Sequence, residues 1–211
     1  MAIDYNQARP LRLLVLADDE ASFFKLQSEN ELVQDISLPR YSRAKLARYA
    51  PLAGKQAAIV DELGIHFVSM ESRQETLFIA QENIDLLKYS PADNFVVTCE
   101  KFNINTPENH NLRILETKTG TTVAEFIWRK PAKEGLKTIY WSPDESICMR
   151  MCPPEGPNQP NQIEVYKNGE FAQPAARIVA RFPRKGQNKR EPPTFVNGKF
   201  DGFSLCPLNP N

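Results

Sequence analysis

The chain has 211 residues, of which 41% are apolar and 25% charged, a composition typical of a soluble globular protein of one large domain or two small ones. Lys plus Arg and Asp plus Glu both number 26, so the net charge does not indicate a globally basic nucleic-acid binder. A net charge of zero is still compatible with local basic patches. The apolar runs are far shorter than the roughly 20 residues that span a bilayer, and the polar start "MAIDYNQARP" is unlike a signal peptide, so we expect no membrane partner.

A repeated phrase organises the rest of the chain. It first occurs as "RYAPLAGKQAAIV" around Pro51, then as "KYSPADNFVVTC" around Pro91 and as "YWSPDESICMRM" around Pro143. A last, short copy, "GFSLCPLNPN", contains Pro207. Each full copy has an aromatic residue, a proline turn with small or polar residues, and an apolar run. The intervals between these prolines are 40, 52 and 64 residues, and the longer ones contain extra loop sequence.

Each repeat continues with a second strand pair. "NLRILETKTGTTVAEF" and "NQIEVYKNGEFAQPA" both contain two short β-rich runs around a turn that ends in Gly120 or Gly169. Glycine and asparagine tolerate positive φ, so these turns indicate hairpins. Four short strands at a period near 40 predict an all-β, WD40-like β-propeller. A β-sandwich does not require a proline turn at this period, and helical periodicity is limited to "SRAKLARYA".

The predicted propeller is incomplete. We expect residues 1–183 to form a partial WD-like propeller of about three blades, residues 184–199 a basic, proline-rich loop, and residues 200–211 the first strand of a further blade. Propellers typically close with about four to eight blades. An open arc leaves apolar blade faces uncovered, so we expect the chain alone to be poorly soluble or to self-associate.

The cysteines and histidines do not form a metal-binding pattern. Cys99, Cys148, Cys152 and Cys206 contain no CxxC pair, which favours free thiols and a cytoplasmic location. Cys99 and Cys148 align with Met151 and Val96 of the other copy, so we interpret them as small core residues. The two histidines, His66 and His110, are far apart in sequence, and a structural zinc normally needs four clustered ligands. We therefore predict neither a metal nor a cofactor.

The repeat alignment also assigns roles to other conspicuous residues. Tyr89 and Trp141 occupy the same repeat position, which indicates core aromatics and not a base-stacking platform. His66 aligns with Arg113 and Glu164, so we interpret it as a variable, outward strand position. Asp144 and Glu145 lie in a turn where the other copy has Ala92 and Asp93, which disfavours a catalytic role.

Several of these segments, in order, resemble the eukaryotic translation initiation factor 2A family. The segments are "LRLLVLADDEASFFKLQ", "DLLKYSPADNFVVT", "NLRILETKTGTTVAEF", "YWSPDESICMRM" and "IEVYKNGEF". The resemblance covers about residues 11–181 and resumes at 200–211. Its most specific part contains Trp141, Ser142, Asp144, Glu145, Ser146, Cys148 and Arg150. The sequence departs from the family in a longer, more basic loop, "RKGQNKREPP", and in its extent, because the family continues through many more blades.

The resemblance implies a non-enzymatic translation initiation factor. Such a factor acts with the small ribosomal subunit and promotes the binding of initiator methionyl-tRNA independently of GTP. Its implied partners are the small subunit, this tRNA and mRNA, with other initiation factors as further candidates. The sequence has neither the GxxxxGK[ST] loop of nucleotide-binding proteins nor the GxSxG elbow of hydrolases.

Two other classes of function are compatible with the repeats. One is a propeller like that of the b subunit of initiation factor three, which would carry an RNA-recognition domain upstream. The other is a WD-like protein-interaction scaffold without a direct role in RNA or tRNA binding. Co-sedimentation with the small ribosomal subunit distinguishes an initiation factor from such a scaffold.

The candidate RNA or ribosome contacts lie in the basic loop. They are Arg181, Arg184, Lys185, Lys189 and Arg190, five basic residues within ten positions and flanked by prolines. Basic side chains bind RNA phosphates and release counterions, although a charge run is also compatible with a solvated loop. A second basic stretch, with Arg40, Arg43, Lys45 and Arg48, is better explained as solvated surface.

Overall fold

The structure is a computed structural model that describes residues 12–28, 31–52, 54–129, 131, 139–152, 161–180 and 194–196. These residues form seventeen β-strands in four antiparallel sheets and no helix, which confirms the predicted all-β fold. Within the described residues there is accordingly no helix with the length and hydropathy to cross a membrane.

The first sheet precedes the proline repeats. It contains β1 (Arg12–Ala17), β2 (Glu20–Ser28) and β3 (Glu31–Gln34), with β4 (Tyr41–Ser42) paired to the start of β2. Asp18 and Asp19, which connect β1 to β2, have φ angles of 49° and 62°. Two positive φ angles match the twist of a two-residue hairpin turn. This turn contains no proline. The first sheet is therefore not counted when blades are identified by their repeat prolines.

The second and third sheets follow the predicted repeat. The second contains β5 (Leu46–Tyr49), β6 (Gln56–Val60), β7 (Gly64–Ser69) and β8 (Glu75–Ala80). The third contains β9 (Ile84–Tyr89), β10 (Phe95–Glu100), β11 (Leu112–Glu116) and β12 (Thr122–Phe126). In both sheets the strands are hydrogen-bonded in sequence order, as in a propeller blade.

The fourth sheet has a fifth strand. It contains β13 (Ile139–Trp141), β14 (Ile147–Cys152), β15 (Asn161–Lys167), β16 (Ala176–Ala180) and β17 (Thr194–Val196). Strand β17 pairs with β16 and lies within the segment 184–199 that we expect to be a loop. The predicted strand at 200–211 lies outside the described residues.

The four sheets stack face to face around three apolar layers. The layer between the first and second sheets contains Phe23, Tyr41, Ile59 and Val68. The next contains Val60, Phe67, Leu87 and Val96. The third contains Val97, Cys99, Ile114, Cys148 and Tyr166. Neighbouring residues of one strand thus enter different layers, which explains why inner strands have continuous apolar sequences.

The repeated aromatic residues lie in these layers. Tyr89 is buried in the layer between the second and third sheets. Trp141 packs against the next layer and stacks on Phe95, with ring centroids 5.1 Å apart and planes 9° apart. Both residues are therefore core aromatics, as the repeat alignment predicts. The hairpin prediction is also confirmed, because Gly120 and Gly169 have φ angles of 74° and 79°.

Carboxylates in the proline turns connect neighbouring sheets. Glu145 is fully buried; its Oε1 accepts a hydrogen bond from the Ala92 amide at 2.6 Å, and its Oε2 accepts one from Asn94 Nδ2 at 2.9 Å. One sheet earlier, the Asp93 carboxylate accepts hydrogen bonds from the Leu52 amide at 3.1 and 3.2 Å. In both cases an acid of one turn binds the residue after the proline of the preceding turn. These turns therefore fix how adjacent sheets are placed.

Candidate functional site

The predicted contact residues of the basic loop are outside the described part of the chain. This holds for Arg181, Arg184, Lys185, Lys189 and Arg190, so their role stays a prediction. In the other basic stretch, Arg40 forms an ion pair with Glu20 at 2.6 Å and Arg43 forms one with Glu62 at 3.3 Å. These arginines bind acids of different segments and do not converge on a common site.

The middle of the third strand carries an ionisable side chain in each of the last three sheets. His66, Arg113 and Glu164 occupy this position in β7, β11 and β15. His66 forms hydrogen bonds with two carboxylates, and Arg113 and Glu164 belong to networks of ion pairs. The repeat alignment puts the three residues together but gives them no role. Sequence reasoning missed one feature of this position, which is that all three residues are ionisable. A variable surface position has no need of an ionisable residue in every copy.

In the second sheet, His66 lies between two carboxylates. Its Nε2 is 3.0 Å from Asp61 Oδ2, and its Nδ1 is 2.9 Å from Glu75 Oε2. Tyr41 Oη donates to the same Glu75 oxygen at 2.9 Å. Burial and this hydrogen bond raise the pKa of Tyr41. Because Tyr41 belongs to β4, the network connects the first sheet to the second. The His66 side chain is only 13% exposed, so the prediction that it points outward is wrong.

The network in the fourth sheet borders an open cleft. The cleft has a volume of about 690 Å³ and lies between β12 of the third sheet and β14–β16 of the fourth. We call it the β12–β16 cleft. Its ionisable lining residues are His110, Glu125, Arg150, Glu164, Tyr166 and Arg177. Its apolar walls include Val123, Phe126, Ala172 and Pro174.

Arg150 and Glu164 form the centre of the cleft wall. Arg150 donates from Nε at 3.1 Å and from Nη2 at 2.9 Å to Glu164 Oε2. The Arg150 guanidinium also stacks on the Phe126 ring, 4.2 Å from its centroid, a cation–π contact that connects the two sheets. Tyr166 Oη donates to Glu164 Oε2 at 2.7 Å, and Arg177 Nε lies 3.3 Å from Glu164 Oε1.

The same contacts determine the ionisation of these groups. Burial alone raises the pKa of Glu164, but the hydrogen bond from Tyr166 and the charge and hydrogen bonds of Arg150 outweigh it, so this pKa lies below its usual value. Burial lowers the pKa of Arg150, but its interactions with Cys152, Glu164 and Tyr166 outweigh this effect, so this pKa is raised. The pair is therefore ionised at neutral pH.

Two of the three described cysteines are core residues, whereas Cys152 is only partly buried. Cys99 and Cys148 are at most 1% exposed, which confirms their interpretation as small core residues, and burial raises the pKa of each thiol to about 12. Among the described residues there is no group of three His, Cys, Asp or Glu side chains that could hold a metal ion. Cys206 lies outside them.

Comparison with known proteins supports the fold and gives no family. No protein-family model matches the chain, and no curated protein matches it. Among solved structures, the chain is similar to a "crystal structure of the eukaryotic initiation factor", with a TM-score of 0.68 and 20% identity over 82% of this chain and 41% of that one. It is also similar to KlHsv2 "with loop 6CD replaced by a Gly-Ser linker", with a TM-score of 0.51 and 16% identity over 84% of this chain and 53% of that one. The chain thus spans about half the length of these neighbours or less, and its four stacked sheets have the fold of an incomplete β-propeller.

Proposed function

We propose that the chain is a non-enzymatic translation initiation factor that binds the small ribosomal subunit and promotes initiator methionyl-tRNA binding without GTP. The observation that carries the proposal is the structural similarity to an initiation factor, with a TM-score of 0.68 over 82% of the chain. The family resemblance of the segment from Trp141 to Arg150 points the same way.

The chemistry of the described residues supports a binding scaffold. Ionisable side chains at the strand centres are held by opposite charges, as with Arg113 between Glu100 and Glu125. The turn carboxylate of Glu145 is buried against backbone and amide donors. Such groups stabilise the stack of sheets and are poorly placed for proton transfer to a substrate.

The proposal is tested by sedimentation of the full chain with purified small ribosomal subunits, with and without labelled initiator methionyl-tRNA. We expect the chain to sediment with the subunit and to increase the tRNA bound without added GTP. Replacing Arg184, Lys185, Lys189 and Arg190 with Glu should weaken this binding and flatten its salt dependence. A chain that stays in the supernatant in low and moderate salt contradicts the proposal. An unchanged affinity and salt slope in the charge-reversed variant shows that the loop is only solvated.

A protein-interaction scaffold is the second candidate, and one surface feature favours it. The outer face of the first sheet exposes four apolar side chains, Leu13, Val15, Leu26 and Leu32, which are 37–43% accessible. Exposed apolar surface of this kind often contacts another protein. Sedimentation decides between the two candidates, because a scaffold without an RNA role does not follow the small subunit.

A further inference from the structure

The β12–β16 cleft contains more hydrogen-bond donors than its own carboxylates use. Glu164 receives Arg150 Nε and Nη2 and Tyr166 Oη, and Arg177 Nε lies beside its second oxygen. The Arg150 side chain also interacts with Cys152. Within the described residues, no partner is found for the two Nη atoms of Arg177. The Arg177 side chain is 59% exposed, and His110 is also exposed at the rim.

The second acid of the cleft is also held by the protein. Glu125 Oε1 accepts from Arg113 Nε at 2.9 Å, and Arg113 also pairs with Glu100. With Arg113 and Glu100 included, three arginines face three glutamates, so the charge of the region is balanced. A preference for an anion therefore depends on the free guanidinium donors and not on net charge.

The geometry of the donors favours a phosphate over a carboxylate. A guanidinium binds two oxygens of an anion side by side, and one guanidinium is enough to occupy both oxygens of a carboxylate. A phosphate has further oxygens for a second arginine. Arg150 is already fixed by Glu164 and by the Phe126 ring, so little side-chain entropy is lost when it binds.

The size and walls of the cleft indicate what carries the phosphate. A volume of about 690 Å³ lies within the range of small-molecule sites, roughly 300–1,000 Å³, and exceeds what a phosphate alone needs. The walls next to the arginines are apolar, with Val123, Phe126 and Pro174. We propose that the β12–β16 cleft binds a phosphate-bearing nucleotide unit of single-stranded RNA, with Arg177 and Arg150 on the phosphate. The choice of RNA rests on the proposed function, whereas the phosphate site rests on the cleft itself.

The test measures the binding of a labelled oligouridylate to the full chain by fluorescence anisotropy at several salt concentrations. Arg177→Gln and Arg177→Glu should weaken binding about tenfold or more, since a hydrogen bond to a charged group typically contributes this much. The salt slope should fall by about 0.7 for the lost phosphate contact. Glu125→Gln, which removes a negative charge from the rim, should bind more tightly. Lys118→Glu is the matched control, because Lys118 is exposed on the β11–β12 turn and does not line the cleft.

Each result supports or overturns the site. Equal losses for Arg177→Glu and Lys118→Glu, or no loss for Arg177→Gln in a variant with unchanged circular dichroism and urea midpoint, overturn it. Binding to vesicles that contain anionic phospholipid, with no binding to the oligouridylate, would show that the cleft binds a lipid headgroup. That result also overturns the proposed RNA site. These measurements need no ribosome. A chain that sediments with the small subunit but shows no Arg177 effect refutes the cleft alone, whereas Arg177-dependent RNA binding without sedimentation refutes the proposed function alone.

Discussion

Glu145 offers the sharpest test of how the sheets are held together. Its carboxylate is fully buried and accepts hydrogen bonds from the Ala92 amide and from Asn94 Nδ2, both in the preceding sheet. Glu145→Ala removes both acceptors and leaves the Ala92 amide without its partner. Asn94 is exposed, so water replaces the partner of its side chain.

The expected loss of stability follows from these contacts. A hydrogen bond to a charged group contributes about 1.5–3 kcal/mol, and a buried donor left unpaired costs about 1–3 kcal/mol. Removal of a buried carboxylate also relieves its desolvation, which acts in the opposite direction. Because both Glu145 oxygens have donors at 2.6 and 2.9 Å, we expect the hydrogen bonds to dominate. The net loss should be about 3 kcal/mol.

The backbone at Glu145 provides a second, independent signal. Its φ angle is 57°, in the left-handed region, which costs a residue with a Cβ atom roughly 1 kcal/mol relative to glycine. Glu145→Gly should therefore be about 1 kcal/mol more stable than Glu145→Ala, although it lacks the same hydrogen bonds.

The assay is urea unfolding followed by tryptophan fluorescence, with free energies compared at an unchanged slope. Glu145→Gln keeps the size and shape of the side chain, but its amide nitrogen is a donor and would face either the Ala92 amide or Asn94 Nδ2, which are also donors. This variant should therefore be destabilised as well. The double variant Glu145→Ala, Asn94→Ala measures the coupling between the two side chains. A Glu145→Gln protein as stable as the wild type, or more stable, would refute the reasoning, because desolvation of the carboxylate would then outweigh its hydrogen bonds.

Three further predictions concern acid, thiols and association. Hydrogen bonds from Ser142 and Ser146 lower the pKa of Asp144 to about 2. The stabilising contribution of Asp144 should therefore be complete above the unfolded-state pKa near 4 and should disappear as the pH falls through about 2. An NMR titration of the Asp144 carboxyl group with a midpoint near 4 would contradict this prediction. Burial raises the pKa of the Cys99 and Cys148 thiols to about 12. Both should therefore react with a thiol reagent at pH 8 only after the protein is unfolded in urea. Labelling of the native protein at either cysteine would show that the apolar layer opens. Leu13 and Leu32 are 40% and 43% exposed, and replacing both with Ser should reduce self-association without loss of stability. Light scattering measures the association and urea unfolding measures the stability. Unchanged association means that another surface is responsible.

Much of the fold was predictable from the sequence because its signals are local. A proline turn fixes φ at one residue, a glycine permits positive φ at another, and the apolar runs between them are short. These features act within a few residues, so "YSPADNFVV" and "ETKTGTTV" indicate the same strands that the structure contains. The first sheet was less evident because its turn consists of Asp18 and Asp19, without the proline on which the repeat count depends.

The roles of the charged residues were decided only by the stacking of the sheets. Asp144 and Glu145 are neighbours in sequence, yet Asp144 binds serines of its own turn and Glu145 binds groups of the preceding sheet. Likewise, Phe126, Arg150 and Arg177 meet at one cleft although they belong to three strands of two sheets. Sequence spacing indicates which strand a residue occupies and its place along that strand. The distance between side chains of different sheets depends on how the apolar layers pack, and it is this packing that creates the turn contacts and the β12–β16 cleft.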